Sequence, residues 1–531
     1  MNSLDYTIEI SSAGAPVTLT GACALRDGAT HVVLSLPEGT LTRVSARVRL
    51  GMKDRERLFL NGYQTWTWCP EYTKRSRIRG IRRLPKAVVR AFHLDRYADY
   101  HFVEYPYRRG VLHGVSYGYL RDGAFFRLFA SLDEEPGYTL FQFDCATGEL
   151  TLERDCAGLA CGGEFHAFDL FFASGDEDTV FDRWFAELGV TRRPAEPLRG
   201  YSSWYNRYEK ISEASILADL AGCAEVLSPG DLFQVDDGWE PNVGDWLEAD
   251  AKKFPNGMKT IADAIHGRGL RAGLWLAPFV CRAGSRIERE HPDWLLRVNG
   301  KKWACGINWG GFYALDIDHP EVQAYLRETF RRVFDVWGFD LVKLDFLYGA
   351  APFGNARETR AGRMLRAMRF LREVCGEHAI LGCGVPVMPA FGLVEYCRVS
   401  CDVGLDWDDK PYMRIIHRER VSTKHAMETS IFRRQLNGRA YLSDPDVFFL
   451  REDHIRLTPA QKKSLAETAR AVGGVFLSSD NMGDYDAAQR AEYRRLAALT
   501  PIGRVRVETE NGLKLRFRTA DGETVVDVYA K

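Results

Sequence analysis

Several things are missing from this chain of 531 residues, and each absence narrows its function. No apolar run reaches about 18 residues, so no membrane-spanning helix is expected. The 12 histidines form no H-x-H, H-x-x-x-H or H-x-x-E-H arrangement. The 12 cysteines include no two C-x-x-C pairs at zinc-site spacing, and Cys156 with Cys161 is not such a pair. A zinc or di-metal hydrolase is therefore disfavoured, while an oxygen-only Mg²⁺ site stays open. The glycine-rich Gly382–Cys383–Gly384 matches no phosphate cradle, and neither internal repeats nor low-complexity segments occur. With a net charge of −1, no overall field draws nucleic acid or an anionic membrane. The local exception runs from Lys74 to Lys86 through Arg75, Arg77, Arg79, Arg82 and Arg83, and is expected to be a solvated loop or subunit contact. Met1 to Ile10 carries Asp5 and Glu9 without a basic start or an apolar core, so no secretory leader is expected. Many cysteines without export point to a reducing cytoplasm.

What is present suits a multidomain protein with large cores: 46% hydrophobic, 27% charged and 12% aromatic residues, including 12 Trp and 22 Tyr. Such aromatics serve either β-rich cores or sugar-stacking clefts. Residues 1–195 alternate in short runs (30–36, 44–50, 114–119, 125–130, 138–144) separated by Gly, Pro and Asp, which predicts an N-terminal β-sandwich. A helix over 179–188 and a proline-bearing stretch then mark a boundary. Over 196–500, apolar strand-like runs alternate with helical patterns, which predicts a (β/α)8 TIM barrel. Nine strand candidates occur where eight are needed (201–204, 232–235, 272–277, 313–317, 341–346, 379–383, 397–401, 440–443 and 474–478). The run 313–317 is the expected surplus, an extra piece inside a loop. Residues 501–531 return to alternation and predict a short C-terminal β domain.

In such a barrel the active site lies at the carboxyl ends of the strands. The acids in those positions are Asp236 and Asp237, Asp345, Asp402, and Asp444 with Asp446. Carboxylates gathered at one mouth repel one another, so they need a metal, a cationic neighbour or a catalytic reason. Two carboxyl groups without a metal suit glycoside hydrolysis, in which one attacks the anomeric carbon and the other protonates the leaving oxygen. Lys343 shares a strand face with Asp345, and Arg398 lies four residues before Asp402, so both acids have a cation at hand, as ordinary strand-end salt bridges also would. Trp204, Tyr205, Trp239, Trp246 and Trp275 stand near strand ends, and Trp275 is the best candidate for a wall behind an apolar sugar face. Cys383 is expected to be a small core residue rather than a nucleophile.

Taken in order, these segments resemble glycoside hydrolase family 36, the α-galactosidases of clan D. The resemblance rests on Asn61–Gly62–Tyr63–Gln64–Thr65–Trp66, Ser203–Trp204–Tyr205, and Val235–Asp236–Asp237–Gly238–Trp239 with Gly244–Asp245–Trp246. It continues through Trp275–Leu276–Ala277–Pro278–Phe279, His291–Pro292–Asp293–Trp294, Lys343–Leu344–Asp345–Phe346 and Leu381–Gly382–Cys383–Gly384. The stretch from Arg398 to Asp402 and Leu442–Ser443–Asp444–Pro445–Asp446 complete it. The resemblance implies retaining hydrolysis of terminal α-galactose, with Asp345 as nucleophile and Asp402 as acid/base. It implies that Asp236, Asp237 and Lys343 bind the outer hydroxyls and that Trp275 stacks near the sugar. Arg398 and Cys383 would border the 2-position, and Trp66, Trp204 and Tyr205 would complete the pocket. The substrate would be an oligosaccharide, with no cofactor or metal. Ser400–Cys401–Asp402–Val403 stands where the family commonly has Gly-Pro-Asp-Thr, and Val385 where a small polar residue is common. These departures leave α-N-acetylgalactosaminides, or transfer to a sugar acceptor, as alternatives.

Overall fold

The computed structural model describes residues 3–78, 81, 84–96, 99–101, 107–407 and 418–530. Arg79, Arg82 and Arg83 of the basic stretch lie outside the described residues. No described helix is long and apolar enough to cross a membrane.

The N-terminal part is an eleven-stranded antiparallel sheet. The expected strands at 125–130 and 138–144 are present as Phe125–Ser131 and Tyr138–Asp144. The expected runs 30–36 and 44–50 prove to be halves of one 22-residue strand, Gly28–Arg49. Its first half pairs with Ala160–Asp176 and its second with Glu149–Asp155, with register shifts in the first pairing where the strands bend. The expected strand 114–119 is instead divided at Ser116 (φ 71°) into Val111–Val115 and Tyr117–Asp122. Because the long strand serves both groups of neighbours, the expected pair of sheets is one hydrogen-bonded sheet folded into two layers. Phe129 and Phe141, from strands that do not pair, meet edge to face at 5.4 Å in the core between the layers.

After the helix Glu177–Leu188, a parallel sheet curls into a TIM-like barrel. Its strands in chain order are Leu198–Ser202, Leu232–Val235, Arg271–Leu276, Leu341–Leu344, Ala379–Gly382, Tyr396–Arg398, Leu442–Asp444 and Val475–Ser478. The seventh pairs with Tyr396–Arg398 on one side. Its continuation, Val447–Phe448, pairs with Val475–Ser478 on the other, and Val475–Ser478 pairs in turn with the first strand. The two edges of the sheet thus meet. Leu232–Val235 and Leu341–Leu344 are buried throughout, as strands enclosed between a core and a helical layer must be. The surplus run falls where it was expected, off the barrel: Phe312–Ala314 joins Val280–Arg282 and Ala304–Gly306 in a small antiparallel sheet. The expected strand 201–204 ends sooner, at Ser202, and Trp204–Arg207 is already a helical turn at the barrel mouth.

The helices start where side chains can satisfy their free N–H groups. Thr458 and Gln461 form a reciprocal cap on Pro459–Val472, and Thr359 caps Arg360–Cys375. The C-terminal strands Ile502–Glu508, Lys514–Thr519 and Gly522–Asp527 form a three-stranded antiparallel sheet. It is tied to the barrel helix by the Ser464 hydroxyl, which donates to the Asp527 carbonyl at 2.9 Å.

Candidate active site

The fourth barrel strand ends at Leu344, and Asp345 follows it directly. The Asp345 N–H still bonds to Leu276, at 2.8 Å, before Phe346 turns away at φ 52°. That turn brings the Phe346 N–H onto Asp345 Oδ1 at 2.8 Å, while Trp275 Nε1 donates to Oδ2 at 3.2 Å. Asp345 is only 8% exposed. Burial pushes its carboxyl up, Lys343 and hydrogen bonds from Cys383 and Trp275 oppose this, and the Asp402 charge adds to the rise. Trp275 itself is 2% exposed, so the expected open stacking face is absent; its N–H holds Asp345 instead. Trp239 and Trp246 are packed beneath it, with Trp239 Nε1 donating to the Trp275 carbonyl at 2.8 Å.

Lys343 does not form its hydrogen bond with Asp345. Its ammonium donates to Asp236 Oδ2 at 3.0 Å, across the intervening third strand. Burial works against this ammonium, but Asp236 and Asp345 outweigh it and keep it charged. Asp236 also accepts from Gln234 at 2.6 Å and Ser202 at 3.3 Å. Asp237 accepts from Trp309 Nε1 at 2.8 Å. Burial and the adjacent Glu240 carboxylate raise Asp237 well above the usual range.

The Asp402 end is organised by Arg398. Its guanidinium meets Asp402 at 3.0 Å, Asp444 at 3.4 Å and Asp446 at 2.6 Å. One cation among three carboxylates cannot neutralise them all. Asp402 is accordingly raised: loss of water pushes it up, Arg398 opposes, and Asp446 adds to the rise. Even so, its side chain remains 39% exposed. Asp446 sits at φ 78° where the seventh strand is interrupted. Its Oδ2 accepts the Tyr205 hydroxyl at 2.6 Å and the Val403 N–H at 2.8 Å, which fixes the backbone next to Asp402. Tyr205 is therefore buried with its hydroxyl engaged. Trp204 is half-buried, its ring edge-on to Tyr208 at 5.2 Å.

Trp66 reaches this site from the N-terminal part of the same chain. The Thr65 N–H donates to Val385 at 3.0 Å, and Arg433 grips the carbonyls of Gln64 (3.1 Å) and Thr65 (2.6 Å) and the Asn61 side chain (2.9 Å). Trp66 Nε1 then donates to Cys383 Sγ at 3.3 Å. The indole lies over Gly384, where an added Cβ would come within 2.8 Å of it. Burial drives the Cys383 thiol well up, which argues against a thiolate.

The contacts thus join Trp275 to Asp345, Lys343 to Asp236, Trp66 to Cys383, and Arg398 to Asp402, Asp444 and Asp446, several of them through partners that the sequence concealed. Trp309, Glu240 and Arg433 were missed, and Asp446 was named as a strand-end acid without a role. Asn308–Trp309–Gly310–Gly311 has the composition of a sharp loop, and Trp309 adopts φ 54° there, the one signal that would have marked it. Among the described residues, no group of three His, Cys, Asp or Glu side chains is arranged to hold a metal ion.

The melibiase family signature matches residues 202–374, from the first strand through the helix after Asp345. Alpha-galactosidase Mel36A of Lactobacillus acidophilus is 34% identical over 122 residues, 22% of this chain and 16% of that protein. AgaA of Geobacillus stearothermophilus is 29% identical over 187 residues, 33% and 25% of the two chains, and an Escherichia coli alpha-galactosidase is 26% identical over 278, 50% and 36%. These matches thus span between 16% and 36% of the relatives' own length. The solved structure of TtGalA, an alpha-galactosidase from Thermus thermophilus in complex with p-nitrophenyl α-D-galactopyranoside, aligns over 98% of this chain and 99% of its own. Its TM-score is 0.74, at 28% identity. AgaA shares the fold at a TM-score of 0.59 and 15% identity, over 97% of this chain and 79% of its own. The barrel thus carries a melibiase signature over residues 202–374, and nearly the whole chain is similar in fold to an alpha-galactosidase of known structure.

Proposed function

We infer that the protein is a retaining α-galactosidase that releases terminal α-linked galactose from oligosaccharides by double displacement. Asp345 attacks the anomeric carbon while Asp402 protonates the leaving oxygen. Asp402 then removes a proton from the water that hydrolyses the galactosyl-enzyme. The observation that carries this reading is the unlike setting of two acids at one barrel mouth. Asp345 is enclosed and its carboxylate accepts two N–H groups, which suits an ionised nucleophile. Asp402 is the more open and its one cation is shared with two other carboxylates, which suits a group that must hold and release a proton. A carboxyl separation of about 5–5.5 Å would accompany retention.

Asp236, Asp237 and Lys343 form a closed, polar end that fits the outer hydroxyls of galactose. Trp66, Cys383 and Arg398 would border the sugar's other edge, with Trp275, Trp204 and Tyr205 positioning the groups around it. TtGalA has been solved in complex with p-nitrophenyl α-D-galactopyranoside and with stachyose, which supports the same substrate class here. The segments 1–195, 196–500 and 501–531 serve in this reading as sheet, catalytic barrel and appendage. All twelve cysteines are unpaired, in keeping with a cytoplasmic setting. Proton NMR of the hydrolysis of a nitrophenyl α-galactoside tests the mechanism. α-Galactose is expected to form first and then mutarotate, and β-galactose appearing first would rule out retention.

A further inference from the structure

We propose that Tyr208, with Trp204, is the platform for the pyranose ring of the leaving sugar, the unit that departs from Asp402. This inference rests on the glycosidase reading above and extends it to the far side of the scissile bond.

The cleft has a direction. Asp236, Asp237, Lys343 and Asp345 are all buried, whereas Asp402 is partly open. A leaving group must lie on the side of the acid that protonates it and must have a way out to solvent, so the second sugar belongs at the Asp402 end. There the surface is aromatic. Tyr208 is among the few large apolar side chains left exposed, at 42%, and its ring meets Trp204 edge-on at 5.2 Å and Tyr205 at 6.3 Å. Tyr205 in turn holds Asp446, which fixes the backbone beside Asp402.

The Tyr208 backbone sits at φ 49° and ψ −148°, a conformation L residues rarely adopt. It is held from both sides. The Tyr208 N–H bonds to the Trp204 carbonyl at 2.5 Å. Lys253 Nζ donates to the carbonyls of the next residue, Glu209, at 3.0 Å and of Gly238 at 2.8 Å. An added Cβ at Gly238 would come within 2.8 Å of the Glu209 backbone, so the Tyr208 loop packs directly on the loop that carries Asp237. Tyr208 thus stands between the Asp237 loop and the Asp402 side, its ring toward solvent. A strained residue that presents an exposed aromatic ring at a catalytic mouth is poorly explained by core packing. Loss of water raises its hydroxyl, Arg451 opposes this, and the Asp402 charge adds to the rise, which sets that hydroxyl within the field of the acid. A ring with an apolar face and polar tip suits a pyranose, which offers C–H groups on its face and hydroxyls at its edge.

The test compares two donors that share the galactosyl unit and differ in the leaving group. Raffinose leaves a sugar, whereas α-galactosyl fluoride leaves only fluoride and has nothing to place on the platform. Tyr208→Ala should lower the raffinose-to-fluoride ratio of kcat/KM about tenfold, mainly through KM for raffinose, equivalent to about 1.4 kcal/mol. Tyr208→Phe should bring the ratio back near wild type, since the ring remains. Tyr208→Gly, which removes both the ring and the backbone strain, should show the same selective loss as alanine with no fall in Tm. An unchanged ratio in Tyr208→Ala and Tyr208→Gly, or equal loss on both donors, overturns the platform. If the wild type cleaves the fluoride but not raffinose, the platform for a sugar fails while the glycosidase reading stands. If it cleaves neither, the glycosidase reading fails first.

Discussion

The two ends of the cleft solve opposite electrostatic problems. At the Asp237 end, burial is nearly complete and each charge has assigned partners: Lys343 for Asp236, Trp309 for Asp237, Trp275 and a backbone N–H for Asp345. At the Asp402 end, three carboxylates share the Arg398 guanidinium and the aromatic rim opens to water. The difference separates fixing a sugar from moving a proton. An enclosed carboxylate fed by N–H donors is preorganised and costs no reorganisation when it reacts, whereas an under-neutralised one can exchange a proton.

The most severe way to break this contrast is at the closed end. Asp345→Asn keeps the shape and removes the attacking charge, so kcat should fall by at least about 10⁴-fold with galactose affinity largely kept. Single-turnover kinetics and calorimetric titration with galactose check it. Substantial residual turnover would return the nucleophile's role to another acid. At the open end, the effect of Asp402→Asn on kcat/KM, which reads the first step alone, should depend on the leaving group: about 10³-fold loss on raffinose and far less on α-galactosyl fluoride, which needs no proton. The pH profile sharpens this. Asp345 must be ionised, so activity is lost as pH falls through its pKa; Asp402 must be protonated, so activity is lost as pH rises through its pKa. Both are raised, which moves the bell-shaped profile above the value near ~4 of ordinary carboxyls. For the fluoride the alkaline limb of kcat/KM should be absent even in the wild type, and its presence there would assign that limb to another group.

A third variant separates stability from chemistry. Lys343 and Asp236 are both almost fully buried, so Lys343→Met strands a carboxylate without its cation. A loss of about 3 kcal/mol in urea unfolding is expected, partly recovered by Asp236→Asn in the same chain. No recovery in the double variant would mean that the ion pair is not what Lys343 contributes.

The same contrast shows what a sequence can reveal. The barrel was legible because its strands are short and buried on both faces, alternate with helices, and carry acids at their carboxyl ends, so Asp236, Asp345 and Asp402 could be picked by position alone. The partners were not. Lys343 and Asp345 share a strand face, yet the ammonium crosses the third strand to Asp236, a choice set by barrel curvature rather than by spacing. Gly28–Arg49 was read as two strands because Pro37 and Gly39 look like punctuation, while tertiary pairing carries the strand through them with register shifts. Trp275 looked like a platform because tryptophan at a strand end often is one; its burial follows from Trp246 and Trp309, which stand far from it in sequence.

Trp309 gives the smallest of the expected effects. It comes from the loop beside the small inserted sheet, in a left-handed backbone conformation, and packs on Phe346 at 4.8 Å. Its contribution to the closed end is one N–H on Asp237, a carboxyl already pushed up by burial and by Glu240. Trp309→Phe keeps an aromatic ring and deletes that donor, so Asp237 should hold its proton to higher pH and grip the sugar less well. A hydrogen bond to a charged group contributes about 1.5 kcal/mol or more, so KM should rise about tenfold with kcat changed less. Because the donor lies at the closed end, the rise should be alike for raffinose and α-galactosyl fluoride, unlike that of Tyr208→Ala. If Trp309→Phe instead weakened raffinose alone, this loop would belong to the leaving-sugar side, and the division of the cleft into a fixing end and a proton-moving end would have to be redrawn around it.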